Sequence, residues 1–126
     1  MTPDASPGQG QLIRPASVTF EPYDLASRDV VVSGGLTCEV ALSWEAPSGL
    51  RFGIARFTTG RMSFVSKVDE VLVPRSGRIR ILIDDAPAVE PEPGDAVYFG
   101  KGQHVVYEVL EDFEEWFWIL ENAADE

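Results

Sequence analysis

From Val18 onward the apolar residues fall in short runs separated by turn residues, with a period of two wherever a period is visible. Val30-Val31-Val32 stops at Ser33-Gly34-Gly35, and Cys38, Val40, Leu42 and Trp44 alternate with Thr37, Glu39, Ala41 and Ser43. Ala46-Pro47-Ser48-Gly49 turns the chain into the run 50–57, and Thr58-Thr59-Gly60 turns it again. After 70–73, Pro74-Arg75-Ser76-Gly77 reads as a further turn, and the next run sets Ile79, Ile81 and Ile83 on one face with Arg78 and Arg80 on the other. Asp84-Asp85-Ala86-Pro87, Gly94-Asp95 and Gly100-Lys101-Gly102 separate the remaining runs 89–93, 96–99, 105–110 and 116–120. The stretch 109–120 mixes apolar and acidic residues as a helix would. Its Trp116-Phe117-Trp118-Ile119 block is apolar on all sides, which predicts a strand covered on both faces. About eight to ten short β-rich runs with Gly and Pro turns predict an all-β sandwich or barrel. The organisation expected is a flexible N-terminal arm over 1–16, one β-domain over 17–121 and an acidic tail over 122–126.

Composition narrows the partners. The chain of 126 residues carries 21 Asp+Glu against 10 Lys+Arg, a net charge of -11. That sign disfavours a phosphate backbone, so nucleic acid is not expected. No apolar run approaches the roughly 18 residues that span a bilayer, and the N-terminus lacks the pattern of a signal peptide. A cytoplasmic protein that makes no membrane contact is expected. One cysteine, Cys38, cannot form an internal disulfide, and one histidine, His104, cannot supply a site with several imidazole ligands. The charge is also polarised along the chain. Glu108, Glu111, Asp112, Glu114, Glu115, Glu121, Asp125 and Glu126 close it, whereas Arg51, Arg56, Arg61, Lys67, Arg75, Arg78 and Arg80 face only Asp69 and Glu70 in the middle. Both runs read as solvated faces. The sharper alternative makes the basic segment a binding wall for a small anion.

Two spacings carry more specific information. Glu70 and Gly77 are separated by six residues, and Gly94-Asp95 is followed by the turn Gly100-Lys101-Gly102. Together they resemble the two motifs of the cupin superfamily, G-x5-H-x-H-x3,4-E-x6-G and G-x5-P-x-G-x2-H-x3-N, over residues 50–120. The resemblance implies a single-domain double-stranded β-helix, the cupin jelly-roll barrel, with glycines at its tight corners. It would place the first motif's histidines at Phe64 and Ser66, or at Ser63 and Val65, and the second motif's at Val105. None of these is a histidine, and His104 falls one position early, which in a strand means the opposite face. Only Glu70 stands at a ligand position, so neither a transition metal nor another cofactor is expected. With the histidines missing and the second turn of the form G-D-x4-G-K-G, the chain looks most like the ethanolamine-utilisation cupins of the EutQ type. That likeness implies a link to ethanolamine breakdown and bacterial microcompartments. An acetate kinase activity attributed to the family is not carried over, because no Gly-rich phosphate loop is present.

The candidate acid–base residues are Glu70, Tyr107 and His104. A Glu70 carboxyl inside an apolar barrel beside Phe64 and Tyr107 would have a raised pKa suited to proton transfer. Its structural alternative is an ion pair with Lys67 or Arg56. Phe64, Ser66, Tyr98, Lys101, Val105, Trp118 and Arg56 are the candidate ligand-binding residues. The aromatic ones would give an apolar pocket with a hydroxyl handle, and otherwise belong to the core. Lys101 would hold a carboxylate or phosphate, or be solvated. The function expected is binding of a small organic molecule, an anion under the basic-wall reading, by a metal-free homodimeric cupin. The alternatives are a metal-independent lyase, isomerase or cyclase using Glu70, and a scaffold or cargo protein of a microcompartment that makes contacts through its arm and tail.

Overall fold

The computed structural model describes residues 12–120. Most of the expected arm and all of the expected acidic tail lie outside them. Within them the protein is β-structure with two single-turn 3-10 segments, Pro15–Ser17 and Ala26–Arg28. The strands are β1 (Glu21–Pro22), β2 (Val31–Ser33), β3 (Cys38–Glu45), β4 (Leu50–Phe57), β5 (Gly60–Val65), β6 (Asp69–Ile83), β7 (Val97–Phe99) and β8 (His104–Leu120). All pairings are antiparallel, and they run in the order β1-β3-β4-β8-β5-β2, with β6 on the other edge of β8 and β7 beyond β6.

Two long strands organise the barrel. The first part of β8 pairs with β5 and its last part with β4, while β6 follows β8 along almost its whole length. One sheet therefore curls through β6 and β8 into two facing halves. The bend lies at residues 74–79 of β6, where the register against β8 slips three times. Gly77 sits there at φ 88°, and a Cβ on it would lie 2.0 Å from the Asp112 carbonyl oxygen. Only glycine allows the two strands to approach this closely.

This corrects two expectations. Pro74-Arg75-Ser76-Gly77 is a bend inside one strand of 15 residues, and the runs 105–110 and 116–120 are parts of one strand of 17. The run 89–93 contributes a single bridge, Val89 to Ile81. The hairpin at 46–49 forms as expected, closed by the Ala46 N–H to the Leu50 carbonyl.

The interior is apolar, with Leu72, Ile79, Ile81, Phe99, Val105, Tyr107 and Phe113 all almost fully buried in one cluster. Phe57 meets Tyr107 edge-on at 5.6 Å between ring centroids, and Phe64 meets Phe99 and Tyr107 in the same way at 5.8 and 6.0 Å. The polarised charge resolves across strands. On the outer face Arg61 and Arg80 reach Glu108, Arg78 reaches Glu111, Arg75 bonds Glu114, and Arg56 bonds Glu39 at 2.6 Å. Four arginines of the basic middle segment pair with the acidic β8 and Arg56 pairs with Glu39 of β3, so five of them are engaged outside the barrel.

Candidate functional site

A cavity of about 660 Å³ opens into the barrel between the two sheet halves. Its mouth is bordered by residues 23–30 and 65–68, and its walls include Phe57, Met62, Phe64, Tyr107, Phe117 and Ile119. The Lys67 ammonium donates to Asp29 at 2.7 Å across the mouth, and the Arg28 guanidinium lies 4.2 Å from the centre of the Tyr23 ring. The Lys67 hydrogen bond holds the Asp29 carboxyl below its usual pKa. Both partners are largely exposed, so the pair adds little stability and orients the rim.

Polar groups on the cavity wall come from strand parity. Glu70 on β6 and Arg51 on β4 are both opposite Ile119 of β8, so they flank it in one inward row. Glu115 follows Phe113 and precedes Phe117 on the inward face of β8, opposite Ala55 and Pro74. It is 2% exposed. The Tyr107 hydroxyl donates to Glu115 Oε1 at 3.5 Å, and Cys38 lines the same space from β3.

Burial governs the chemistry of all four. Loss of solvent pushes the Glu70 carboxyl up to about 7 against an opposing pull from Arg51. Burial, reinforced by the charge of Glu70, pushes the Glu115 carboxyl well above its ordinary value. Burial, then Glu115 and Glu70, push Tyr107 well above its ordinary value, and burial with Glu115, Glu39 and Glu70 pushes the Cys38 thiol up to about 12. Cys38 is therefore an inert wall residue, since the thiolate is the reactive form. Two neighbouring carboxyls with unequal pKa values offer a proton donor and a proton acceptor in one apolar chamber.

Of the residues singled out in the sequence, Glu70, Tyr107, Phe64 and Ser66 line the cavity. Ser66 is 4% exposed, and its hydroxyl donates to the Val68 carbonyl at 2.7 Å, shaping the rim. Val105 is packed in the core. The other five lie elsewhere. Val105 points inward, so its neighbour His104 points out and is exposed, its backbone N–H donating to Asp84 Oδ1. Tyr98 and Trp118 stand on the outer face for the same reason of parity. Arg56 is outside with Glu39 and over the Phe20 ring, and Lys101 is exposed in the β7–β8 turn, its backbone N–H on Asp69. Neither expected partner of Glu70 is beside it; Arg51 is.

Sequence reasoning placed Arg51 only within the basic segment and missed Glu115 and Cys38. The signal for Glu115 was the alternation Phe113, Glu115, Phe117, Ile119, hidden within a run of acidic residues.

Of the positions at which the resemblance would put imidazoles, Phe64, Ser66 and Val65 line the cavity, and neither they nor Ser63 is a histidine; His104 is exposed, and among the described residues no three of His, Cys, Asp and Glu form a possible ligand set. No helix among those residues is long and apolar enough to cross a membrane.

No family model and no curated protein matches the sequence. Solved structures do match. A crystal structure of an ethanolamine utilization protein Q from Salmonella typhimurium LT2 superposes with a TM-score of 0.74 at 13% identity, over 94% of this chain and 91% of that one. A cupin domain of Cnp3 from Schizosaccharomyces pombe gives 0.62 at 11% identity over 70% and 63%. An ectoine synthase from P. lautus gives 0.61 at 9% identity over 75% and 70%. With the curled antiparallel sheet and the β6–β8 spine, these likenesses establish that the chain has the cupin jelly-roll fold and is similar in structure to ethanolamine utilization protein Q.

Proposed function

We propose that the protein binds a small organic molecule inside the barrel and does so without a transition metal. The observation that carries this reading is the cavity of about 660 Å³ with Glu70, Glu115, Tyr107 and Arg51 gathered on otherwise apolar walls. Its size and mixture of aromatic surface with few polar groups are those of a small-molecule site. Metal independence is supported by the misfit of the ligand positions described above. Backbone amide NMR with a panel of cationic, neutral and anionic fragments tests binding. Shifts should gather on Met62, Phe64, Tyr107, Glu115 and Phe117, and Val40→Phe, which narrows the cavity, should weaken them. Perturbations confined to the outer face would overturn the reading.

A second reading, metal-independent proton transfer, is favoured by the Glu70 carboxyl, pushed up to about 7, in one cavity with Glu115, whose carboxyl is raised well above its ordinary value. In it Glu70 takes a proton from the bound molecule and Glu115 returns one. The proton-transfer pair replaces His104 with Glu115.

We also propose that the protein is a homodimer formed through the outer face of β7-β6-β8-β4. There Tyr98, Val71, Trp118 and Phe52 share one row, and Val73 and Trp116 stand in the next. Trp118 stacks near Phe52 and near Trp116, both at 6.4 Å. These rows are free of charge, and the rim beside them carries the balanced pairs Arg56–Glu39 and Arg75–Glu114. Such a face meets its own two-fold copy without presenting the net negative charge of the chain.

A further inference from the structure

The charges inside the barrel indicate what the cavity holds. Glu70 and Glu115 are its two carboxyls, and Arg51 is the cation whose charge acts on Glu70. The remaining cations on its lining are at the mouth, with Lys67 on Asp29 and Arg28 over Tyr23. From the other elements packed around the pair come Tyr107 and Cys38, both neutral, and the uncharged Phe99, Met62 and Phe64. Two ionised carboxylates against one guanidinium would leave one unpaired negative charge against an apolar wall, which is costly to bury. A proton kept on one carboxyl avoids that cost.

We propose that the ligand is a small organic monocation, an alkylammonium, whose charge replaces that proton and is balanced by Glu70 and Glu115. This rests on the binding reading above and specifies its ligand class. The exchange conserves charge: the ammonium enters, one carboxyl gives its proton to solvent, and the interior remains neutral. The walls suit the rest of such a molecule, because Phe57, Phe64, Tyr107 and Phe117 offer aromatic surface to a cation and its carbon chain. A bare monovalent ion has the right charge but would leave those walls unused, and a divalent ion lacks a set of three ligands among the described residues.

Calorimetric titration of the full chain with benzylammonium, benzyl alcohol, benzoate and potassium chloride tests the class at nearly constant shape. Benzylammonium should bind at pH 8 and release about one proton, read from buffers of different ionisation enthalpy. Its affinity should fall at least tenfold from pH 8 to pH 7, as exchange of one proton requires, and more steeply below pH 7, where Glu70 also takes up a proton. Glu70→Gln and, separately, Glu115→Gln should each weaken it at least tenfold in protein whose circular dichroism is unchanged. Tighter binding of benzoate or benzyl alcohol, or of potassium alone, would overturn the cation assignment and leave the cavity as a binding site. Silence of all three organic probes would overturn both.

Discussion

At the scale of the residue, parity decides which groups meet. His104 and Val105 are adjacent in sequence, yet one is exposed and the other fully buried, because successive side chains of a strand face opposite sides. The same rule buries Glu115 among aromatic rings in a segment whose composition alone reads as solvated. Glu70 and Tyr107 were legible in the sequence because motif spacing fixed the first and an apolar neighbourhood the second. Glu115 and Arg51 were not, since their roles depend on β6 and β4 both lying against the last turn-free stretch of β8. The raised pKa of Glu70 has a consequence for stability. The folded protein binds its proton more tightly than the unfolded chain does, so its stabilisation is full below pH ~4.5 and is lost as pH rises through about 7. Relative to Glu70→Gln, the wild type should lose about 3 kcal/mol between pH 4.5 and pH 8, by the energy equivalent of the shift. Urea denaturation of both proteins across this range measures it, and parallel pH profiles would contradict it.

At the scale of the element, the short runs and the hairpin at 46–49 were legible because alternation and turn chemistry are local. The two long strands were not. Pro74-Arg75-Ser76-Gly77 carries turn residues because β6 must bend there, and a bend within a strand uses the same residue types as a turn between strands. The joining of 105–110 to 116–120 depends on the partner strand, which carries the pairing past the exposed Leu110 and Glu111. Gly77 is the critical point of this arrangement. Gly77→Ala combines a positive φ with a Cβ pressed onto the backbone of β8, and should destabilise the protein by more than about 2 kcal/mol. Gly94→Ala, also at positive φ but with open space around its Cβ, should cost about 1 kcal/mol. Thermal melts of the two variants compare them, and equal losses would show that the close approach at Gly77 carries no weight.

At the scale of the molecule, the acidic total conceals two separate balances. Outside, cross-strand Arg–Glu pairs neutralise the basic middle segment against β8. Inside, two carboxyls face one guanidinium, and one retained proton would leave the chamber neutral. The sheet face between these regions is apolar, and sedimentation equilibrium should give twice the chain mass for the wild type and the monomer mass for Trp118→Glu; a wild type that is monomeric at every concentration would remove the dimer. The state of the two buried carboxyls matters most, and a ¹³C NMR titration of the glutamate side-chain carboxyls reads it directly. One resonance, lost in Glu70→Gln, should have its midpoint near 7, and a second, lost in Glu115→Gln, should titrate well above the ordinary carboxylate value. Titration of both at the ordinary carboxylate value of about 4.3 would contradict this.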